Sequence, residues 1–143
     1  MRSILAPLLA ILIWNCSGSS FDPATEENAI RELLHSQEID WNEGHIEGFM
    51  NGYWKSDSLM FVGSKITQGW DSTLARYRRS YPSPEAMGQL TFTFYEFRFV
   101  SPDACLVTGR YSLQRVHDQP TGLFTLLLRK IDERWVIVYD HTS

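Results

Sequence analysis

Cysteine is scarce in this chain of 143 residues, which contains only Cys16 and Cys105. Two cysteines cannot build the disulfide framework of a small secreted scaffold. Cys105 lies in the apolar run 104–107, and a reactive thiol needs an accessible, electropositive setting instead. We therefore predict no disulfide, a buried and unreactive Cys105, and one compact domain held by its hydrophobic core.

Basic residues are also few. The chain has 13 Lys and Arg against 17 Asp and Glu, and its formal net charge is −4. This balance argues against a nucleic-acid partner, because phosphate binding requires clustered Lys and Arg. We interpret the one basic cluster, Arg76, Arg78 and Arg79, as the solvated face of a helix.

Metal-site spacing is missing too. The sequence spacing between His35, His45 or His117 and other His, Cys or carboxylate residues does not match that of a metal site. We read all three as surface residues. No metal and no cofactor is expected.

A long hydrophobic run is lacking as well. The run from Ile4 to Trp14 follows Arg2 and is shorter than the about 20 apolar residues of a membrane-spanning helix. It predicts a signal peptide over residues 1–15, and hence export. Cys16, which opens a flexible tether over 16–22, resembles the lipidated cysteine of a bacterial lipoprotein. We expect a lipoprotein anchored at Cys16 in the periplasm or on the cell surface, with plain secretion as the alternative.

The hydropathy pattern of residues 23–143 predicts a single α+β domain. Asp22 and Pro23 suit a helix start, and apolar residues then recur at helical spacing. Helices are predicted over 23–43, 46–54 and 72–81, and strands over 57–62, 66–68, 90–100, 104–116, 123–131 and 134–142. Short connections make the long strands antiparallel. We expect three N-terminal helices packed on a strongly curved antiparallel sheet, which leaves a conical pocket.

Several stretches of the domain resemble a known family. They are "WNEGHIEGF", "SDSLMFVG", "ACLVTGRYSLQR", "GLFTLLLRK" and "RWVIVYDHTS". Together they are similar to the nuclear transport factor 2-like fold, in its SnoaL-like and ketosteroid isomerase-like branch. The resemblance implies a small-molecule pocket and a homodimer formed through the convex face of the sheet. Function stays open, because this fold hosts isomerases, dehydratases, cyclases and adaptors.

The catalytic groups of ketosteroid isomerases are not present at the matching positions. The tyrosine position falls on Gln37, the general-base position near Val62, and the second aspartate position on Thr125. That chemistry needs a carboxylate base and two donors for the enolate oxygen. A steroid-isomerase mechanism is therefore not expected.

The resemblance, together with strand alternation, implies which side chains line the pocket. It places Thr108, Arg110, Leu123, Thr125, Val138, Asp140 and Thr142 inward. Gln37, Trp41 and Tyr53 should line the same volume from the helices. Arg110 also matches a cavity arginine of the calcium/calmodulin-dependent kinase association domain, although the companion arginines of that domain do not match.

Arg110 and Asp140 leave two readings open. They form a partly buried ion pair that stabilises the sheet, or Arg110 orients an anionic or carbonyl group while Asp140 accepts a proton. His141 should point to the convex face, and it becomes catalytic only if the strand end twists inward. The leading hypothesis is binding of a small organic molecule. The alternatives are an isomerase, dehydratase or hydrolase that uses Asp140 or His141, and an adaptor without a ligand.

Overall fold

The computed structural model describes residues 21–143. The predicted signal peptide over residues 1–15 and the predicted lipid anchor Cys16 lie outside the described residues, so both stay predictions. Within residues 21–143, no helix is both long enough and apolar enough to cross a membrane.

Four helices and six strands make up the described chain. The helices are α1 (Pro23–Asn42), α2 (Ile46–Met50), α3 (Trp70–Ser80) and α4 (Pro84–Met87). The strands are β1 (Met60–Val62), β2 (Ile66–Gln68), β3 (Gln89–Ser101), β4 (Ala104–Gln114), β5 (Thr121–Ile131) and β6 (Arg134–Thr142). Helix α4 is not among the three predicted helices. It forms because Ser83 caps the amide of Ala86 and Pro84 suits the first turn.

The strands form one sheet in the order β2-β1-β6-β5-β4-β3. All neighbouring pairs are antiparallel except β1 and β6, which run parallel. The predicted α+β fold, with helices packed on a curled and mostly antiparallel sheet, is confirmed. The parallel pair makes the sheet mixed, a feature that the short run 57–62 did not indicate.

Helix α1 lies across the sheet because its buried residues recur every three or four positions. Ile30, Leu34, Gln37 and Trp41 form this face, which matches the helical repeat. Near its C-terminal end the helix also bonds to the edge strand β3. Asn42 bonds both backbone groups of Leu90, at 2.6 and 3.0 Å, and Glu38 accepts the amide of Phe92 at 2.7 Å. These side chains satisfy edge groups that would otherwise be open to another strand.

Cys105 is fully buried and its thiol is free. Burial raises the pKa of this thiol to about 11. A thiol that stays protonated and has no access to solvent is a poor nucleophile, so Cys105 contributes to packing.

Glu26 joins the start of α1 to the far end of the sheet. Its Oε1 accepts from Lys130 Nζ at 2.8 Å, and its Oε2 accepts from Trp135 Nε1 at 2.7 Å. Hydrogen bonds from Lys130 and then Trp135 lower the pKa of the Glu26 carboxyl. Trp135 is buried, so its indole N–H depends on this partner.

We expect Glu26→Leu to lower the free energy of unfolding by about 1–3 kcal/mol at neutral pH, because the buried indole N–H loses its acceptor. Since the folded-state pKa of Glu26 is lowered, its stabilisation is present above the unfolded value of 4.5 and is lost as the pH falls through the folded value. Urea denaturation at pH 7 and at pH 3 tests this, with Glu32→Leu on the exposed face of α1 as control. Equal losses in the two variants would contradict it.

Candidate functional site

A cavity of about 250 Å³ lies between helices α1, α2 and α3 and the concave face of the sheet. It falls just below the range of about 300–1,000 Å³ that drug-sized ligands occupy, so it suits a small molecule such as one substituted ring. Its walls are mainly aromatic: Trp41, Phe49, Tyr53, Phe61, Tyr77, Tyr81, Phe92, Tyr111 and Phe124.

Asp140 supplies a buried carboxylate in the wall of this cavity. It is only 3% exposed. Its Oδ2 accepts from Tyr53 Oη at 2.7 Å, and its Oδ1 accepts from Thr142 Oγ1 at 2.6 Å. Burial raises the pKa of Asp140, and the hydrogen bonds from Thr142 and Tyr53 and the charge of Arg76 offset part of that rise. The carboxylate is therefore positioned by two donors and sensitive to pH.

Two tyrosines extend this hydrogen-bonded group. Tyr77 Oη lies 3.4 Å from Tyr53 Oη. Burial is the main cause that raises the pKa of both phenols, so both keep their protons at neutral pH. Because Tyr53 uses its one proton toward Asp140, Tyr77 is the donor in the contact between the two tyrosines.

Gln37 is the second polar group of the inner wall and is 2% exposed. Its Nε2 donates to the carbonyl of Phe49 at 2.8 Å, which fixes the orientation of the amide. Its Oε1 has no hydrogen-bond partner within residues 21–143, and Gln37 lines the cavity. The Oε1 of Gln37 is therefore an unpaired acceptor that is accessible from the cavity.

Arg76 supplies a cation at the mouth of the cavity. Its guanidinium carbon lies 4.1 Å from the ring centroid of Phe61 and 5.5 Å from that of Tyr77. A Cβ built on Gly63, in the turn between β1 and β2, would lie 3.5 Å from Arg76 Nη2. Arg76 forms no ion pair or hydrogen bond with the described part of the chain, so its N–H donors remain available. The interpretation of Arg76 as part of a solvated basic face is wrong, whereas Arg78 and Arg79 are exposed.

The structure separates Arg110 from Asp140. Arg110 is exposed on the convex face, where its Nε donates to Tyr95 Oη at 3.0 Å. Thr108, Leu123 and Thr125 also lie on that outer side and do not line the cavity. The predicted convergence of Arg110 and Asp140 is therefore wrong.

Arg110 lies outside the cavity because the side chains of β4 and β5 alternate between the two faces of the sheet in the opposite order from the one predicted. The inward residues of these strands are Cys105, Val107, Tyr111 and Leu113 in β4, and Phe124, Leu126 and Leu128 in β5. Gly109, between them, is also buried and admits the Phe124 ring, which lies 2.5 Å from a Cβ built at that position. Apolar residues at the odd positions of β4 carried this signal in the sequence, and the resemblance placed the even positions inward instead.

Strand β6 behaves differently because it contains a bulge. Leu127 pairs with Tyr139 and Leu128 with Ile137, so Val138 is an extra residue without a partner. Trp135 and Ile137 face inward before the bulge, and Asp140 and Thr142 face inward after it. The prediction for Asp140 and Thr142 agrees with this geometry, and the prediction that Val138 lines the pocket is wrong.

His141 is exposed and lies on the outer face of β6. The strand end does not turn this imidazole toward the cavity, so His141 is not placed for chemistry there. Its neighbour Tyr139 is 40% exposed on the same face. Three other predicted residues do line the cavity: Gln37 and Trp41 on α1, and Tyr53, which follows the end of α2 at Met50.

Two functional residues, Arg76 and Tyr77, were missed by the sequence reasoning. A signal for Tyr77 existed, because Thr73, Leu74 and Tyr77 form the buried stripe of α3 at helical spacing. Arg76 adjoins that stripe and reaches the cavity mouth by stacking on Phe61. The described residues contain no cluster of three or more His, Cys, Asp or Glu side chains that could hold a metal ion.

Comparison with solved structures finds relatives of this fold. A crystal structure of an NTF2-like (nuclear transport factor 2-like) protein of unknown function from Shewanella oneidensis MR-1 is 46% identical. The match covers 82% of this chain and 98% of that one, with a TM-score of 0.80. No family model matches the sequence, and no curated protein matches it.

Two more distant structures share the fold alone. A domain of unknown function with a cystatin-like fold from Nostoc punctiforme PCC 73102 is 20% identical, with coverage of 85% of this chain and 78% of that one and a TM-score of 0.72. A ketosteroid isomerase-like protein from Erwinia carotovora atroseptica SCRI1043 is 16% identical, with coverage of 82% and 95% and a TM-score of 0.64.

Proposed function

This chain belongs to the NTF2-like family, and we propose that it binds a small organic carboxylate in the cavity between its helices and the concave face of its sheet. The single observation that carries this proposal is Arg76. Its guanidinium is stacked on Phe61 at the mouth of an aromatic cavity and has no partner within the described chain.

The physical argument concerns the cost of desolvating a charge. A carboxylate enters a mainly apolar cavity only if an opposite charge and hydrogen-bond donors meet it. A guanidinium held against a ring offers two parallel N–H donors that match a carboxylate. The charge of Arg76 acts on the nearby Asp140, but Arg76 forms no ion pair with any described residue, so a ligand need not displace an existing salt bridge. The aromatic walls then bind the rest of the molecule.

We expect Arg76→Ala to weaken binding of such a carboxylate by about 10- to 100-fold, the equivalent of losing a charge-assisted hydrogen bond. The measurement is isothermal titration calorimetry with small aromatic carboxylates and, as neutral counterparts, their methyl esters. The matched control is Arg79→Ala, which removes an exposed arginine from the same helix. Equal affinity in the two variants, or equal binding of acid and ester, would refute the proposal.

A second candidate function is supported by Asp140. A buried carboxylate with a raised pKa, hydrogen-bonded to Tyr53, has the properties of a general acid or base. An isomerase, dehydratase or hydrolase that uses Asp140 would convert its ligand, and Asp140→Asn would abolish that conversion while binding persists. His141 no longer belongs to this candidate because of its outward position. The adaptor without a ligand stays an untested alternative; the outward position of Arg110 rules out only its structural pair with Asp140.

Export, the lipid anchor at Cys16 and the homodimer remain parts of the proposal. The outer face of the sheet supports the homodimer, because Leu123 on β5 is 50% exposed there and Tyr139 on β6 is 40% exposed. A ligand-binding protein held at a membrane by Cys16 would sample molecules outside the cytoplasm.

A further inference from the structure

At the inner end of the cavity, hydrogen-bond acceptors lack partners while most donors are already engaged. A ligand that fills the cavity must match whichever groups are left unpaired, because an unpaired buried polar group costs free energy. The polar groups there belong to Gln37, Tyr53, Tyr77 and Asp140. All four residues are at most 7% exposed.

The donors of this inner end are largely engaged. Tyr53 and Thr142 direct their hydroxyl protons to the two oxygens of Asp140. Tyr77 directs its proton to Tyr53, and Gln37 uses its amide N–H toward the carbonyl of Phe49. The indole N–H of Trp41 donates to the carbonyl of Met87 at 3.3 Å.

The acceptors, in contrast, are in surplus. The amide oxygen of Gln37 has no partner in the described chain, and its orientation is fixed by the bond from Nε2 to Phe49. The phenolic oxygen of Tyr77 donates one proton and retains its lone pairs. Each oxygen of Asp140 accepts one hydrogen bond and has capacity for another.

From this imbalance we propose that the ligand is a carboxylate carrying a hydrogen-bond donor, such as a hydroxyl group, at the end remote from its carboxylate. The proposal rests on the proposed function. The carboxylate meets Arg76 at the mouth, a ring lies between the aromatic walls, and the hydroxyl group donates to Gln37 Oε1 or Tyr77 Oη.

The position of the two ends follows from exposure. Arg76 is half-buried and lies beside Gly63, in the turn between β1 and β2, whereas Gln37 is buried on the central face of α1. A ligand that spans this path is short, since the cavity holds only about 250 Å³. A para-substituted ring with a short acidic side chain has this polarity and size.

The test compares ligands that differ in the donor alone. The probes are 4-hydroxybenzoate, 4-hydroxyphenylacetate and 3-(4-hydroxyphenyl)propanoate, each paired with its 4-fluoro analogue, which has similar size and no donor. The three side-chain lengths vary the distance between the carboxylate and the hydroxyl group of the probe. In the best-fitting pair we expect the hydroxylated probe to bind about tenfold tighter or more than its fluoro analogue, as measured by calorimetry. The reason is that only the hydroxyl group donates a hydrogen bond to the unpaired acceptor.

Variants assign the preference to the inner wall. The two variants are Gln37→Met and Tyr77→Phe. In at least one of them we expect the preference for the hydroxylated probe to fall to about threefold or less. The control Arg79→Ala should keep the full preference of the unaltered protein. Circular dichroism confirms folding, and two separate variants keep the assignment testable if one of them unfolds.

The outcomes separate this proposal from the proposed function. If fluoro and hydroxy probes bind equally in the unaltered protein, the donor proposal is overturned and carboxylate binding stands. If the preference survives in both variants, the inner acceptors do not cause it and the proposal is also overturned. If no carboxylate of any length binds, the proposed function itself fails and the donor proposal falls with it.

Discussion

Replacing Trp41 with alanine is expected to lower the free energy of unfolding by about 3–5 kcal/mol, the usual cost of truncating a buried tryptophan. Trp41 is 3% exposed. Its ring packs edge-on against Phe49, Tyr77 and Tyr81 at centroid distances of 5.1, 6.0 and 4.7 Å. Because Trp41 already borders an open cavity, its neighbours cannot collapse into the space without losing other contacts.

Urea denaturation followed by circular dichroism measures this loss. The matched control is Ile39→Ala on the solvent side of the same helix, where the side chain is 45% exposed and the expected change is within about 0.5 kcal/mol. A loss below about 1 kcal/mol for Trp41→Ala would mean that the aromatic cluster does not hold α1 on the sheet.

Tyr53→Phe is expected to destabilise the protein by an amount that grows with pH. The folded-state pKa of Asp140 is raised, so the folded protein binds a proton more tightly than the unfolded chain, whose carboxyl titrates near 3.8. Stability therefore falls as the pH rises through the folded-state pKa. Without the Tyr53 hydroxyl the pKa of Asp140 rises further. We expect the added loss to be small near pH 4 and to reach about 1.5–3 kcal/mol once Asp140 is ionised.

The measurement is a series of thermal or urea unfolding curves for the unaltered protein and the variant between pH 4 and pH 9. Tyr81→Phe serves as control, because Tyr81 lies on the same aromatic wall and its hydroxyl donates to no group within residues 21–143. A constant difference between Tyr53→Phe and the unaltered protein at every pH would show that this hydroxyl does not stabilise the charge of Asp140.

Much of the fold follows from periodicity that the sequence displays directly. The stripe of α1 predicted that Gln37 and Trp41 face inward, and both line the cavity. Helical spacing is a reliable guide here because one face of a long helix must be buried. The fourth helix and the parallel pairing of β1 were not predictable in the same way, since segments of three or four residues contain too few positions to display a period.

The cation of the site was predicted in the wrong place for a different reason. Arg110 was placed inward by the fold resemblance together with strand alternation, and the match to another cavity arginine agreed with that placement. In β4, however, Val107 and Leu113 lie on the buried side, which puts Arg110 on the opposite side. The polarity pattern of β4 was the better physical guide, because burying an arginine without a partner is costly. Arg76 escaped detection because a helix residue beside the buried stripe reaches a cavity only through tertiary packing.

The unpaired Val138 determines which side chains of β6 face the cavity. In an uninterrupted strand, two inward residues are separated by an even number of positions, yet Ile137 and Asp140 are three apart. If β6 alternated regularly through Val138, Tyr139 and His141 would face inward and the carboxylate of Asp140 would turn toward solvent, with no change in composition. The acidity of the cavity therefore depends on a count of backbone units as much as on the presence of an aspartate.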